Sequence, residues 1–379
     1  TRDALKKKLM SGERLKIYQG FDPTGPYLHV GHAMGIRAMK ILQDLGHEVI
    51  FLVGDFTSRV GDPDKNSVRK MLSLEDIKKN MEGWKEQAAQ MIDFGGDNPV
   101  KFLHNYNWLS KLTLDEIIKL MSHMTVQQML ERDMFERRLK EGDPIHVQEF
   151  IYPLMQGYDG VAMGVDIEMG GADQTFNMLV GRRLSKVYLN KEKFVRTNKM
   201  MDATDGRTMS KTKGNGINLG DTADEMYGKA MSYSDDKITM GLELLTSIPM
   251  DEVKKIGEDI TNGKNQMNHK KMMSFEIVKA IKGKEVAQKA QTNWIAQFSK
   301  KEIPDNLKEF NFNNGIKILE VLKETKLSSS NSNGRRKIDE KAVQLDGKKL
   351  TDHNFELKKG EFVLKLGKKM VKINIKQAF

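Results

Sequence analysis

The stretch that most constrains this chain is Val49-Ile-Phe-Leu-Val53, five apolar residues without a break, followed by the polar loop Gly54-Asp-Phe-Thr-Ser-Arg-Val-Gly-Asp-Pro63. An apolar run of strand length with no polar alternation is buried on both faces, as a central strand of a parallel sheet is. Such a strand needs helical crossovers beside it, and the neighbouring sequence supplies them. Lys16 to Gly20 reads as a strand, Pro23, Gly25 and Pro26 punctuate a turn, and a helix runs from about Gly31 to Leu45. A long amphipathic helix is predicted from about Ser73 to Phe94. Strands follow at Val100–His104, Val165–Met169 and Lys193–Met200, with helices at Val147–Gly160 and from Asp173–Gln174 through Tyr188. This alternation predicts an α/β fold with right-handed crossovers.

Two stretches depart from the alternation. Thr113 to Glu141 has a helical pattern rich in Met, Gln and Arg and reads as an insertion between the two halves of the sheet. From Asp221 to about Ser299 the chain turns helical, with helices predicted at Ala223–Met231, Asp235–Leu245, Met250–Thr261 and Lys270–Phe298. Beyond the Asn-rich Asn311-Phe-Asn-Asn-Gly315, a helix is predicted at Ile316–Lys326. A Ser/Asn/Gly loop at Ser328–Gly334 and strands around Gly347, Gly360 and Gly367 complete the tail. Ile316–Phe379 carries 16 Lys and Arg against 8 Asp and Glu, most of the chain's net +10. A basic module of this kind suits a polyanion, nucleic acid first. With no cysteine in 379 residues, disulfides, thiolate catalysis and Cys-type zinc sites are excluded, and a reducing cytoplasm is the expected compartment. No stretch reaches the ~18 apolar residues of a membrane span. Thr1–Lys8 is basic without an apolar run behind it, unlike a secretory signal.

The chemistry gathers where strands end. His29-Val-Gly31-His32 lies where the first turn meets its helix, and a helix start offers unpaired N–H groups to phosphate. Gly31 leaves room for a nucleotide against the backbone, and both histidines can donate to phosphate oxygens. Thr208-Met-Ser-Lys-Thr212 forms a second phosphate-handling segment in a Gly-rich basic loop. Tyr152, Gln156 and Asp159 share one helix face at i, i+4 and i+7, an odd way to build a core and a good way to hold a small polar ligand. Gly170-Gly171-Ala-Asp173-Gln174 again joins glycines, a carboxylate and a helix start, where Asp173 serves either as an N-cap or as a partner for a ribose hydroxyl.

On these residues the chain resembles the class I aminoacyl-tRNA synthetases, and among them the bacterial-type tyrosyl-tRNA synthetases, over nearly its whole length. His29–His32 matches the HIGH signature and Thr208–Thr212 the KMSKS signature, with Thr208 in place of the first Lys and Arg207 beside it. Tyr18-Gln-Gly-Phe-Asp22-Pro-Thr24, Tyr152-xxx-Gln156-xx-Asp159 and Gly170–Gln174 resemble the family's tyrosine and adenylate pocket. The loop after Gly61-Asp62-Pro63 is one residue shorter than the common form. The tail, with Leu345–Leu350 and Gly360-Glu-Phe-Val-Leu-Lys365, resembles an S4-like RNA-binding domain.

The resemblance implies a Rossmann-like catalytic domain at 1–216, with the helical insertion at about 113–141 and a mobile signature loop at 205–216. A helical anticodon-binding domain at 217–310 and an S4-like domain at 315–379 would follow. It implies activation of L-tyrosine by ATP and transfer to tRNA(Tyr), by a cytoplasmic homodimer, with Mg²⁺ riding on the phosphates and no metal ligands from the protein. His29, His32, Lys65, Arg69 and Lys211 would be catalytic, with Arg207 and Lys213 in support. Gly20, Asp22, Gly31, Gly171, Asp173, Met209 and Ser210, with both histidines and Lys211, would hold ATP. Tyr18 and Asp159 would bond the phenol, and Asp62, Tyr152 and Gln156 the ammonium. Gln174 would lie near the carboxylate, with Thr57 and Asn105 in support. Two other readings stay open: a tryptophanyl-tRNA synthetase, opposed by the Tyr18/Asp159 pair and the tail, and a catalytically silent RNA-binding protein, for which Thr208 is the foothold.

Overall fold

The computed structural model describes residues 1–62, 72–201, 216–263, 266–299, 307–367 and 369–376. They divide into two compact units, Thr1–Gln291 and Thr292–Phe379. The first is built on five parallel strands: β1 (Lys16–Phe21), β2 (Glu48–Val53), β3 (Lys101–His104), β4 (Ile167–Gly171) and β5 (Phe194–Asn198). Their order is β3-β2-β1-β4-β5. The apolar run is β2, held between β1 and β3, and Val49 to Val53 are all buried. Phe51 stacks on Phe21 at 4.3 Å and on Phe102 at 5.3 Å between ring centroids, tying three strands together on one face. The strand order reverses between β1 and β4. At such a switch point the crossovers leave in opposite directions and open a crevice beyond the strand ends. That is the Rossmann-like architecture expected above.

Several elements differ in extent from the sequence expectation. The single helix expected over 73–94 is two, Leu74–Met81 and Trp84–Ala88, broken at Gly83 with φ +76°. The break turns Trp84 into the core and lets Gln87 reach the first turn, accepting from Leu28 N at 2.9 Å and donating to Pro26 O at 3.0 Å. The insertion is three helices, Leu114–Met121, Val126–Leu130 and Asp133–Glu141, the first two opened by Thr113/Glu116 and Thr125/Gln128 capping boxes. The helix expected at 147–160 is a 3-10 turn, Val147–Phe150, followed by Tyr152–Met163. The helix expected at 270–298 is Gln266–Lys282 and Lys284–Ser299, split at Gly283 with φ +90°. A left-handed glycine cannot continue a right-handed helix, so the breaks at Gly83 and Gly283 each follow from one residue. Helices from Ala223 to Gln291 pack within the first unit, with Tyr227, Ile238, Leu242 and Ile277 buried.

The second unit has its own core around Ile318, Val321, Leu322, Ile338, Leu364 and Ile373. Its strands are β6 (Glu309–Asn313), β7 (Ile316–Lys317), β8 (Val343–Leu345), β9 (Lys348–Lys349), β10 (Glu356–Leu357), β11 (Gly360–Leu366) and β12 (Lys369–Lys376). Five form a sheet in the order β6-β12-β11-β8-β9, while β7 pairs with β10. The expected Ile316–Lys326 helix is therefore shorter, Ile318–Glu324, because Ile316 and Lys317 are spent on pairing. The expected Ser328–Gly334 loop is largely helix, Asn331–Asp339. Ser330 caps it by accepting from Asn333 N at 3.1 Å, and a Cβ on buried Gly334 would lie 3.2 Å from Leu319, so this polar stretch packs closely. Among the described residues, no helix is long and apolar enough to cross a membrane.

Candidate functional site

The crevice at the β1/β4 switch point gathers every described candidate from the sequence. Tyr18, Gly20, Asp22, His29, Gly31 and His32 line it from β1 and the turn after it, and Thr57, Asp62 and Asn105 from the loops after β2 and β3. Tyr152, Gln156 and Asp159 face it from their helix, and Gly171, Asp173 and Gln174 from the end of β4. Lys65, Arg69, Met209, Ser210 and Lys211, with Arg207, Thr208 and Lys213, lie outside the described residues.

The histidine turn is built by a reciprocal cap. His29 Nδ1 accepts from Gly31 N at 3.1 Å, and His32 Nδ1 accepts from His29 N at 3.0 Å, doing what Ser and Glu do in an ordinary capping box. A nitrogen that accepts carries no proton, so each neutral imidazole holds its hydrogen on Nε2, the tautomer that donates outward. Gly31 has a second reason to be glycine: a Cβ there would lie 2.8 Å from the His29 ring. The segment after the Gly-rich loop is strapped to this turn, with Val30 N donating to Ile217 O at 2.9 Å and Leu219 N to Leu28 O at 2.7 Å. Met200 and Met201, just before that loop, also line the cavity.

At the inner end Asp159 is 3% exposed and accepts from Trp108 Nε1 at 2.7 Å and Asn105 Nδ2 at 3.1 Å. Burial pushes its carboxyl well above the ordinary value, against the pull of those two donors. Tyr18 is equally buried, its hydroxyl 3.4 Å from Gln156 O, and burial with the charges of Glu168 and Asp159 pushes its phenol up. Asp22 accepts from Thr57 Oγ1 at 2.8 Å and from Tyr152 OH at 2.9 Å, and Asn105 donates on to Thr57 at 3.1 Å. Asp62 pairs with Arg132 at 3.2 Å and accepts from Gln174 at 2.6 Å. Asp173 is exposed, and the short helix here is capped by Gly171, so the N-cap alternative for Asp173 does not apply. A Cβ on Gly171 would lie 2.3 Å from Asp173 Oδ1, so the carboxylate lies against the glycine.

Sequence reasoning missed five residues here: Trp108, Arg132, Glu168, Asn177 and Lys193. Glu168 alone left a local signal, a carboxylate between apolar neighbours on a strand that ends in two glycines. Its partner Lys193 is fully buried against it. Chemically the crevice offers a buried acceptor beside a phenol, a carboxylate-rich middle, and an imidazole pair at a helix start, which together suit a hydroxylated aromatic amino acid and a nucleotide.

A family model described as tRNA synthetases class I (W and Y) matches residues 10–299. The chain is 40% identical over 372 residues to "Tyrosine--tRNA ligase 2" of Vibrio parahaemolyticus, covering 97% of this chain and 93% of that protein. It is 40% identical over 378 residues to "Tyrosine--tRNA ligase" of Carboxydothermus hydrogenoformans, covering 97% and 91%. Among solved structures, a C-terminally truncated mitochondrial tyrosyl-tRNA synthetase of Aspergillus nidulans is similar at 26% identity and TM-score 0.64, covering 79% of this chain and 89% of that one.

Proposed function

The chain belongs to the class I tRNA synthetases of the tryptophan and tyrosine family, and within it to the bacterial-type tyrosine–tRNA ligases; on that premise we propose how its crevice carries the reaction. L-Tyrosine and ATP give tyrosyl-adenylate and pyrophosphate, and the tyrosyl group then passes to the 3′-terminal adenosine of tRNA(Tyr). The substrate carboxylate is already a nucleophile, so the first step needs alignment and charge stabilisation rather than a general base. The phenol enters between Tyr18 and Asp159, and the ammonium meets Asp62, Tyr152 and Gln156. Gln174 lies at the carboxylate end, with Thr57 and Asn105 in support. Gly20, Asp22, Gly31, Gly171 and Asp173 hold adenosine, with Met209 and Ser210 from the second signature. ATP enters as its Mg²⁺ complex. The Nε2–H groups of His29 and His32 donate to its phosphates, and Lys65, Arg69 and Lys211 stabilise the departing pyrophosphate.

The observation that carries this reading is Asp159, a buried acceptor held by Trp108 and Asn105 in the crevice that Tyr18 also lines, its charge acting on the Tyr18 phenol. A site built to bond a phenol loses that bond when phenylalanine enters and leaves the substrate-facing polar atoms of Tyr18 and Asp159 one partner short, at a cost of about 1–3 kcal/mol. The test is amino-acid-dependent ATP–pyrophosphate exchange with tyrosine, tryptophan and phenylalanine in parallel, without tRNA. Exchange with tyrosine alone is expected. Tryptophan-dependent exchange would overturn the pocket assignment.

The three-domain division expected from the sequence is kept as part of the proposal, with residues 217–310 meeting the anticodon and the basic tail binding RNA through its S4-like unit. A cytoplasmic homodimer is the working form. Exposed Leu114, Ile118, Val126 and Leu139 on the insertion support it as the surface that meets a second copy.

A further inference from the structure

Under the floor of the crevice lies an ion pair that the proposed reaction does not use. Glu168, on β4, is 1% exposed and Lys193 is fully buried, and the Lys193 ammonium bonds Glu168 Oε2. Room for the lysine is made by glycines. A Cβ on Gly181 would lie 2.3 Å from Lys193 Nζ, and one on Gly160 would lie 3.0 Å from it. A pair this deep adds little to stability by itself, because desolvation cancels most of its attraction. Its other bonds point to a second use.

Glu168 Oε1 accepts from Gln156 Nε2 at 3.0 Å. Gln156 Oε1 accepts from Asn177 Nδ2 at 3.0 Å, and the same Asn177 amide donates to Gln174 Oε1 at 3.1 Å. Gln174 Nε2 then donates to Asp62 Oδ2 at 2.6 Å. Three side-chain amides are thus strung between two carboxylates. An amide group offers either an oxygen or an NH₂ to a neighbour, whereas an ionised carboxylate only accepts. With Lys193 donating to one carboxylate oxygen of Glu168, Gln156 turns its NH₂ to the other and leaves its own oxygen on the far side. The orientation is imposed at a cost, since Asn177 Oδ1 is buried with no partner among the described residues.

We infer that Glu168 and Lys193 are positioning residues for tyrosine binding: they set the direction of the Gln156–Asn177–Gln174 amide chain, so that the substrate ammonium meets the Gln156 oxygen and not its NH₂. An oxygen attracts a cation, whereas an NH₂ in its place would oppose it. Lys193 lets a carboxylate do this without adding net negative charge beside Asp159. The role holds only if Gln156 and Asp62 meet the ammonium, as proposed above.

The test is the neutral, volume-matched double variant Glu168→Gln with Lys193→Met in the full chain. Glutamine at 168 offers oxygen or NH₂ alike, so the direction of the chain is no longer set. In tyrosine-dependent ATP–pyrophosphate exchange, KM for tyrosine is expected to rise about tenfold, the worth of one hydrogen bond, with kcat within about twofold. Inhibition by 3-(4-hydroxyphenyl)propionate, which keeps the phenol and carboxylate but lacks the ammonium, is expected to weaken clearly less than tyrosine binding, the part it shares being the loss of Glu168 beside the Tyr18 phenol. Asn177→Leu breaks the chain at its middle without touching the ion pair and is expected to show the same split, so the outcome does not hang on one variant folding. Unchanged tyrosine KM in both, or equal weakening of tyrosine and the analogue, overturns the inference. Asp159→Ala separates the two layers. If that variant keeps wild-type tyrosine kinetics, the pocket reading itself falls; if it loses tyrosine activation while both chain variants behave as wild type, only the positioning role falls.

Discussion

Replacing Asp159 by asparagine tests the phenol end of the crevice with the least change in shape. Trp108 Nε1 and Asn105 Nδ2 both donate to this carboxylate, at 2.7 and 3.1 Å. An amide has one oxygen for two donors. The shorter bond to the indole keeps it, and the new NH₂ faces Asn105 or the incoming phenol. Asn105 cannot easily turn to accept, because its own oxygen is committed to Phe56 N at 2.9 Å. The phenol therefore loses a hydrogen-bond partner, worth about 0.5–1.5 kcal/mol, or roughly 2- to 13-fold in kcat/KM. Exchange assays with tyrosine and phenylalanine are the readout. The tyrosine value is expected to fall by that factor, while phenylalanine, which makes no bond to residue 159, changes less. A fall of the same size for both amino acids would refute the reasoning, because it would mean the pocket had collapsed and no phenol contact had been lost.

The same residue predicts a pH dependence of stability. Burial raises the Asp159 pKa in the folded state, so between its unfolded and folded values the native protein holds the extra proton, and stability falls as pH rises, by at most about 1.4 kcal/mol per pH unit. Asp159→Asn is expected to remove that slope in denaturant titrations across acidic to neutral pH, and an unchanged slope would count against it. Gly181→Ala is expected to lower the melting temperature by a few degrees. Its Cβ would lie 2.3 Å from Lys193 Nζ and 3.2 Å from Gly157 Cα, and overpacking of about 1–3 kcal/mol outweighs the gain of about 1 kcal/mol from alanine in a helix. A calorimetric rise in Tm would contradict this. Removing the chain from β6 onward is expected to weaken tRNA binding and flatten its dependence on salt, as loss of phosphate contacts requires, while leaving ATP–pyrophosphate exchange within a few-fold. An unchanged salt slope would remove the tail from tRNA recognition.

Where sequence and structure agree, the signal was local. Val49–Val53 announces a strand buried on both faces because five apolar side chains in a row leave no face for water, and β2 is that strand. Tyr152, Gln156 and Asp159 share a face because helix geometry places i, i+4 and i+7 together, and all three line the crevice. At two of the places where the expectation failed, a single backbone conformation decided. Gly83 and Gly283 adopt positive φ and break helices whose apolar periodicity runs on past them. Ser328–Gly334 has the composition of a loop, yet Ser330 caps a helix there because Gly334 fits tightly against Leu319.

By itself the sequence determined the α/β class, the strand ends at which ligands bind, and the histidine and amide residue types on which the chemistry draws. These follow from periodicity and short spacings, which act over a few residues. Only the tertiary structure decided which groups share a proton or a charge. Trp108 finds Asp159 at a separation of 51 residues, Arg132 finds Asp62 at 70, and Lys193 finds Glu168 at 25. No local pattern distinguishes these partners from the many other charged and polar residues of the chain. They meet because the switch in strand order brings β1 and β4 side by side, and because burial there makes every polar group answer to its nearest neighbour in space.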